Sequence, residues 1–186
     1  MLSNLLQSAN LFHLLFVIDS ELAAIKRSSG CPYCGGQLHQ SNYMRQPRGG
    51  PAGLPDESCL RRSLCWGRDG CRRRNMPESC LFMGRRVYWR CVVLIATSLM
   101  QRRAESQSIG ELSRLLGISR KVIMRWFEYF TEVFGSSSEW LRIRGFLPAS
   151  VSNDGLPANF LEYCMMQSRD ALGGLVMCCR LLGRGG

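Results

Sequence analysis

Cys31 and Cys34 stand in the turn Cys31-Pro32-Tyr33-Cys34-Gly35-Gly36, and Cys65 and Cys71 follow about thirty residues later in an arginine-rich segment. A Cys-x2-Cys turn bearing Pro and Gly lets two thiolates converge on one ion, and a second pair across a hairpin completes a tetrahedral site. Zinc is the metal expected, with Cys31, Cys34, Cys65 and Cys71 as its ligands. The Cys65 to Cys71 spacing is wider than usual, so Cys59, His39 and Cys80 stay open as fourth ligands. A dithiol redox motif wants a strand before it and a helix opening at the first Cys, whereas Pro32 and Gly35-Gly36 favour a tight turn. A disulfide framework would be unusual in a chain of 186 residues. Cys91, Cys164, Cys178 and Cys179 lie in apolar contexts and read as buried core thiols.

A second constellation runs from Ser108 to Trp126. Leu112, Leu116, Ile118, Ile123 and Trp126 occupy apolar sites at helical spacing, with small Ser113 where two helices would touch. Gly117 falls where a turn between them needs positive φ, and Ser119 is placed to cap the next helix through its hydroxyl. This is the pattern of a helix-turn-helix. With Ile123 and Trp126 inward, the second helix presents Ser119, Arg120, Lys121, Val122, Met124 and Arg125 outward, where such helices enter the major groove of double-stranded DNA or touch its phosphates.

The charge distribution agrees with a polyanionic partner. The formal net charge is +10, and residues 26–103 hold fifteen basic and four acidic residues, a net +11. Such a block raises the local concentration of nucleic acid. Arg outnumbers Lys twenty-two to two, which base composition could explain, but base composition does not explain the clustering.

The elements that must position these groups are partly legible. Residues 1–28 read as one or two helices, with Asp19 or Ser20 capping Glu21 to Arg27. Residues 29–80, rich in Gly, Pro, Cys and Arg, read as a metal-stapled module whose core is too small to hold itself together, with a loop from Arg45 to Asp56 that orders on a partner. A long helix is expected from Arg85 to Arg103, others over Ile109–Leu116 and Arg120–Phe134, and a stop at Gly135-Ser136-Ser137-Ser138. In the 139–186 tail, Trp140, Leu141, Ile143, Phe146 and Leu147 are expected to pack back, with one or two helices between Pro157 and Cys179. The apolar run Val87–Met100 is too short to span a bilayer and carries Arg90. Leu11–Ile18 lacks the basic flank and cleavage site of a signal peptide. A cytoplasmic, nucleoid-associated protein with reduced thiols is expected.

In this order, Cys31-Pro32-x-Cys34-Gly35, a Tyr43-x-Arg45 strand, the arginine-flanked Cys65 to Cys71 and then Ser119-Arg120 to Arg125-Trp126, the chain resembles the amino-terminal part of bacterial insertion-sequence transposases over roughly residues 29–134. The resemblance implies a zinc ribbon followed by a helix-turn-helix that together recognise terminal inverted repeats. Those enzymes carry a ribonuclease-H-like domain with three metal-binding carboxylates. About fifty residues follow the helix-turn-helix here, so Asp154, Glu162 and Asp170 read as surface carboxylates and no catalytic residue is assigned. The expected protein is α+β: a segment 1–28, a zinc-ribbon module 29–80, a helix-turn-helix domain 84–134 and a tail 139–186. Its expected function is zinc-dependent DNA binding as an inverted-repeat binder or repressor, possible as a homodimer although no heptad seam is present. The alternative is a protein-interaction adaptor.

Overall fold

A computed structural model of the chain describes residues 2–66, 70–71, 73–83, 88–102 and 108–183. The protein is α+β, as expected, with helices around three small antiparallel sheets. After the short α1 (Leu2–Leu5), α2 (Ala9–Ser28) buries Leu11, Phe12, Leu15, Ile18 and Ala23, the helical spacing of one apolar face. It runs through Asp19 and Ser20, which correct the expected cap. The apolar period continues across them, and Ser20 bonds back to the Phe16 carbonyl inside the helix. Asp19 is buried and accepts the hydroxyl of Ser79 and the amides of Cys80 (2.6 Å) and Leu81 (3.3 Å). Three donors offset part of the cost of desolvating a mid-helix carboxylate of low helix propensity.

The cysteine-rich segment is built from two-residue strands. β1 (His39–Gln40), β4 (Leu64–Cys65) and β5 (Arg74–Asn75) form one sheet with β4 central, pairing His39 with Cys65 and Cys65 with Arg74. β2 (Tyr43–Met44) and β3 (Leu60–Arg61) form another. Cys31, Leu38 and Leu64 make a small separate core, with Trp66 and Cys71 against it. Strands this short need outside support.

β6 (Phe82–Met83) pairs with β7 (Tyr88–Trp89), which leads directly into α3 (Arg90–Gln101). The helix expected from Arg85 therefore begins at Arg90. Trp89 is held in a strand by stacking on Phe82 at 5.3 Å and by an edge contact with Phe12 at 4.9 Å. Residues 84–87 and 103–107 lie outside the described residues. Arg90 to Leu99 are all buried, and the charge within this run is paired: Arg90 donates to Glu139 at 2.7 Å and to the Phe82 carbonyl at 3.4 Å.

α4 (Ile109–Leu116) and α5 (Arg120–Glu128) follow. The helix expected to Phe134 leaves α geometry at Tyr129, widening into a π turn over Tyr129–Val133 and tightening over Phe134–Ser136. Ser137 then caps α6 (Ser138–Arg144), accepting the Trp140 amide. Within α6 the period buries Trp140 and Ile143 and turns Leu141 outward, and Phe146, beyond the helix end, is 85% exposed. Those two correct the expectation that they pack back. Of the one or two helices expected between Pro157 and Cys179 there are two, α7 (Ala158–Met166) and α8 (Ala171–Gly183), the second running on past Cys179. A Cβ on Gly174 would fall 2.6 Å from the Met165 Cα, and one on Gly183 would fall 2.9 Å from the Ser79 carbonyl oxygen.

One large core takes residues from Leu6 to Leu182, so α2 to α8 bury their apolar faces together with Cys80, Leu81 and Phe82. Cys91, Cys164, Cys178 and Cys179 lie inside it as expected. No helix among the described residues is long and apolar enough to cross a membrane.

Candidate metal centre and basic helix face

α2 stops at Ser28, and Gly30 (φ 75°) turns the chain into the Cys31 knuckle. The knuckle closes through the Gly35 amide to the Cys31 carbonyl (2.8 Å) and the Cys31 amide to the Gly36 carbonyl (2.9 Å), with Gly35 at φ 69°. That places Cys34 beside Cys31, and the turn holding Cys71 brings a third thiol in. The three sulfurs lie within 4.8 Å of one another, with Cys31 and Cys71 at 3.8 Å. This group is able to hold a metal ion. Cys31 is buried and Cys34 exposed.

The surroundings tune the thiols. Backbone hydrogen bonding at Tyr33 lowers the Cys31 thiol to about 7 against burial, aided by Cys34 and Cys71. For Cys34 the Gly36 amide pulls downward, but local desolvation at the knuckle and the other two sulfurs outweigh it and raise the thiol. Buried Asn75 directs its amide at the Cys31 sulfur across 3.9 Å, the outer-shell contact expected of a ligating thiolate.

Of the four expected ligands, three come together and Cys65 does not join them. The pleat supplies the reason: Leu64 points into the small core beside Cys31, so the next residue on β4 faces the other side. Among the open alternatives, His39 stacks on Trp66 at 5.7 Å, Cys59 sits against the large core, and Cys80 is buried in it. None belongs to the three-sulfur group.

The second constellation is set by α4 and α5. Ser108 and Glu111 form a reciprocal capping box at the start of α4. Gly117 takes the left-handed conformation (φ 61°), and the Ser113 hydroxyl donates to the Ile118 carbonyl at 2.7 Å, fixing the turn. Ser119 has the extended backbone of a cap, and its carbonyl accepts the Val122 and Ile123 amides. Its hydroxyl makes no capping bond, a correction to the expectation. The reciprocal cap one helix earlier has the sequence signature Ser-x-x-Glu, which was there to be read.

Ile123 and Trp126 are buried beneath α5, while Arg120, Lys121, Met124 and Arg125 are exposed together. The Arg120 guanidinium reaches back over α4, and a Cβ on Gly110 would meet it at 3.1 Å. Val122 is half-buried against the core. It lines a cleft of about 200 Å³ with Gln46, Pro47 and Arg48. The loop expected to order on a partner is thus seated on the protein itself: Gly49 (φ 89°) passes so close that a Cβ would fall 2.7 Å from Ile118, and Gly50 lies against Trp89. Arg48 is thereby placed beside the first turn of α5.

Asp154, Glu162 and Asp170 are exposed. Glu162 pairs with Arg102 at 3.7 Å, and Asp170 accepts the Gly173 amide. The chain matches no protein-family model, no curated protein and no solved structure.

Proposed function

We propose that this chain is a zinc-dependent protein that binds double-stranded DNA, with α5 as its groove-reading element. The observation that supports the reading is the joint exposure of Arg120, Lys121 and Arg125 on one short helix backed by buried Ile123 and Trp126, with no acid before Glu128. Guanidinium groups pair with phosphate, or bidentately with guanine O6 and N7. Arg48, carried by the loop wedged against Ile118, extends the cationic surface toward the cysteine-rich segment.

Zinc suits the thiol group. Zn–S bonds near 2.3 Å in a tetrahedron set sulfurs roughly 3.8 Å apart, and Cys31 and Cys71 stand at that distance. The ion would staple a segment whose own core is three residues. Three protein thiolates leave one tetrahedral position for another donor. The resemblance to transposase amino-terminal regions makes terminal inverted repeats the natural target class, with repression of a mobile-element gene as the related role.

Filter binding across a salt series tests the reading. Arg125→Ala is expected to weaken duplex binding and to lower the slope of log affinity against log salt by about one unit. Unchanged affinity and slope remove Arg125 from the interface. Selection of bound sequences from a random duplex pool with zinc present is expected to enrich one motif, whereas an interaction adaptor would enrich none.

A further inference from the structure

Between the C-terminal half of α2 and the first sheet of the cysteine-rich segment lies a cavity of about 670 Å³, bordered by Gly30 and Gly35 of the metal knuckle. That volume falls within the range of small-ligand sites, about 300–1,000 Å³. Arg27 and Arg62 line it together with the amide side chains of Gln37, Gln40 and Asn42, and no carboxylate lines it among the described residues.

These groups are arranged as donors. Arg62 is held in place by a 2.7 Å bond from Nη2 to the Ser20 hydroxyl and by its position 4.8 Å over the Phe16 ring. The Asn42 side-chain oxygen accepts the Ser63 amide at 3.1 Å, which leaves its nitrogen as a donor. Arg27 makes no ion pair or hydrogen bond through its guanidinium among the described residues.

A helix C-terminus ordinarily disfavours anions because its last carbonyls are unpaired. At the end of α2 three of the last four carbonyls are engaged. The Ser28 and Ser29 hydroxyls donate to the carbonyls of Ile25 and Lys26, and the Gly30 amide donates to that of Arg27. The wall nearest Arg27 therefore repels an anion less than a bare helix end would.

We propose that this cavity binds the phosphate ester of a nucleotide, with Arg27 and Arg62 on the phosphate oxygens and the Gln37 and Gln40 amides on the base or sugar. A free nucleotide and the phosphorylated end of a DNA strand present the same chemistry. The site is separate from α5 and does not rest on α5 reading a groove.

The test titrates the full-length reduced chain by calorimetry with inorganic phosphate, with a nucleoside 5′-monophosphate, and with a short duplex bearing or lacking 5′-phosphates. The nucleoside monophosphate is expected to bind at one site and more tightly than inorganic phosphate. Arg27→Ala, on an exposed helix position, is expected to weaken it about tenfold, the loss of a charge-assisted hydrogen bond. Arg62→Lys, which keeps the charge and loses the planar fork, is expected to weaken it less. Arg125→Ala should leave nucleotide binding unchanged, so the fate of the helix reading and of this one are told apart. A duplex that gains affinity from its 5′-phosphate identifies a strand end as the ligand; equal affinities with tight free-nucleotide binding identify the free nucleotide. Absence of nucleotide binding, nucleotide binding no tighter than inorganic phosphate, or wild-type affinity in Arg27→Ala overturns the proposal.

Discussion

The carboxylate of Asp19 accepts the backbone amide of Cys80 at 2.6 Å, tying the middle of the first long helix to a segment sixty-one residues away. Burial raises the pKa of this carboxyl above its ordinary 3.8, outweighing the opposing pull of Ser79, Cys80, Arg61 and Leu81. A carboxyl whose pKa is raised by folding contributes stability that is complete below the unfolded value and lost as pH rises through the folded one. Asp19→Asn should therefore flatten the part of the stability profile that falls with pH above 3.8. At neutral pH the amide leaves the Ser79 hydroxyl short of an acceptor, a penalty of about 1–3 kcal/mol offset in part by relief of the buried charge. Denaturant melts of both proteins from acid to neutral pH decide it; parallel profiles would discard the argument.

Cys71→Ser should abolish tight metal binding, whereas Cys65→Ser should retain it, because only the former sulfur stands with Cys31 and Cys34. Metal-to-protein ratios of the purified, reduced variants measure this directly. Loss of metal from Cys65→Ser with retention in Cys71→Ser would reverse the ligand assignment. Asn75→Ala should lower affinity by about 10-fold to 100-fold, the usual cost of an outer-shell contact.

Ser108→Ala should cost about 0.5–2 kcal/mol through loss of the helix cap, since the Ser108 and Glu111 side chains bond reciprocally. Ser119→Ala should change stability by less than about 0.5 kcal/mol, as for an exposed residue with no special contact. Thermal melts separate the two. A larger loss at Ser119 than at Ser108 would restore the hydroxyl cap that the pattern of residues suggests.

Gly49→Ala should destabilise by about 1–3 kcal/mol, combining an overpacked contact with a backbone conformation that suits glycine. The added methyl would meet Ile118 and Val92. Displacing the loop also moves Arg48 away from α5, so duplex affinity should fall along with stability. Retained affinity in a destabilised variant would place Arg48 outside the DNA interface.

The legible parts of the sequence were those governed by local rules. The knuckle at Cys31, the positive φ at Gly117 and the inward turn of Ile123 and Trp126 follow from spacing and residue type alone. The missed parts depend on distant partners. Asp19 looked like a cap because nothing in its own helix shows that Ser79, Cys80 and Leu81 arrive to receive it. Cys65 looked like a ligand because thiols attract metals, yet the choice between Cys65 and its neighbours is made by which face of β4 turns toward Leu38. Tyr88 and Trp89 continue an apolar run that reads as helix, and only their pairing with Phe82 and Met83 makes them a strand. The terminal helices hid their role for the same reason: their apolar residues show a buried face without showing what buries it.

The close seat of Gly183 on Ser79 has a kinetic consequence. Residues 79–81 are gripped by α2 from earlier in the sequence and approached by α8 from later in it, so in synthesis from the N-terminus their contact with α8 forms only once that helix has emerged. The strand partners of β4 and the three grouped thiols all lie between Cys31 and Asn75. Every ligand of the proposed staple is thus made before α8 is, so synthesis offers the metal-binding turn to an ion ahead of the contact that clasps Ser79.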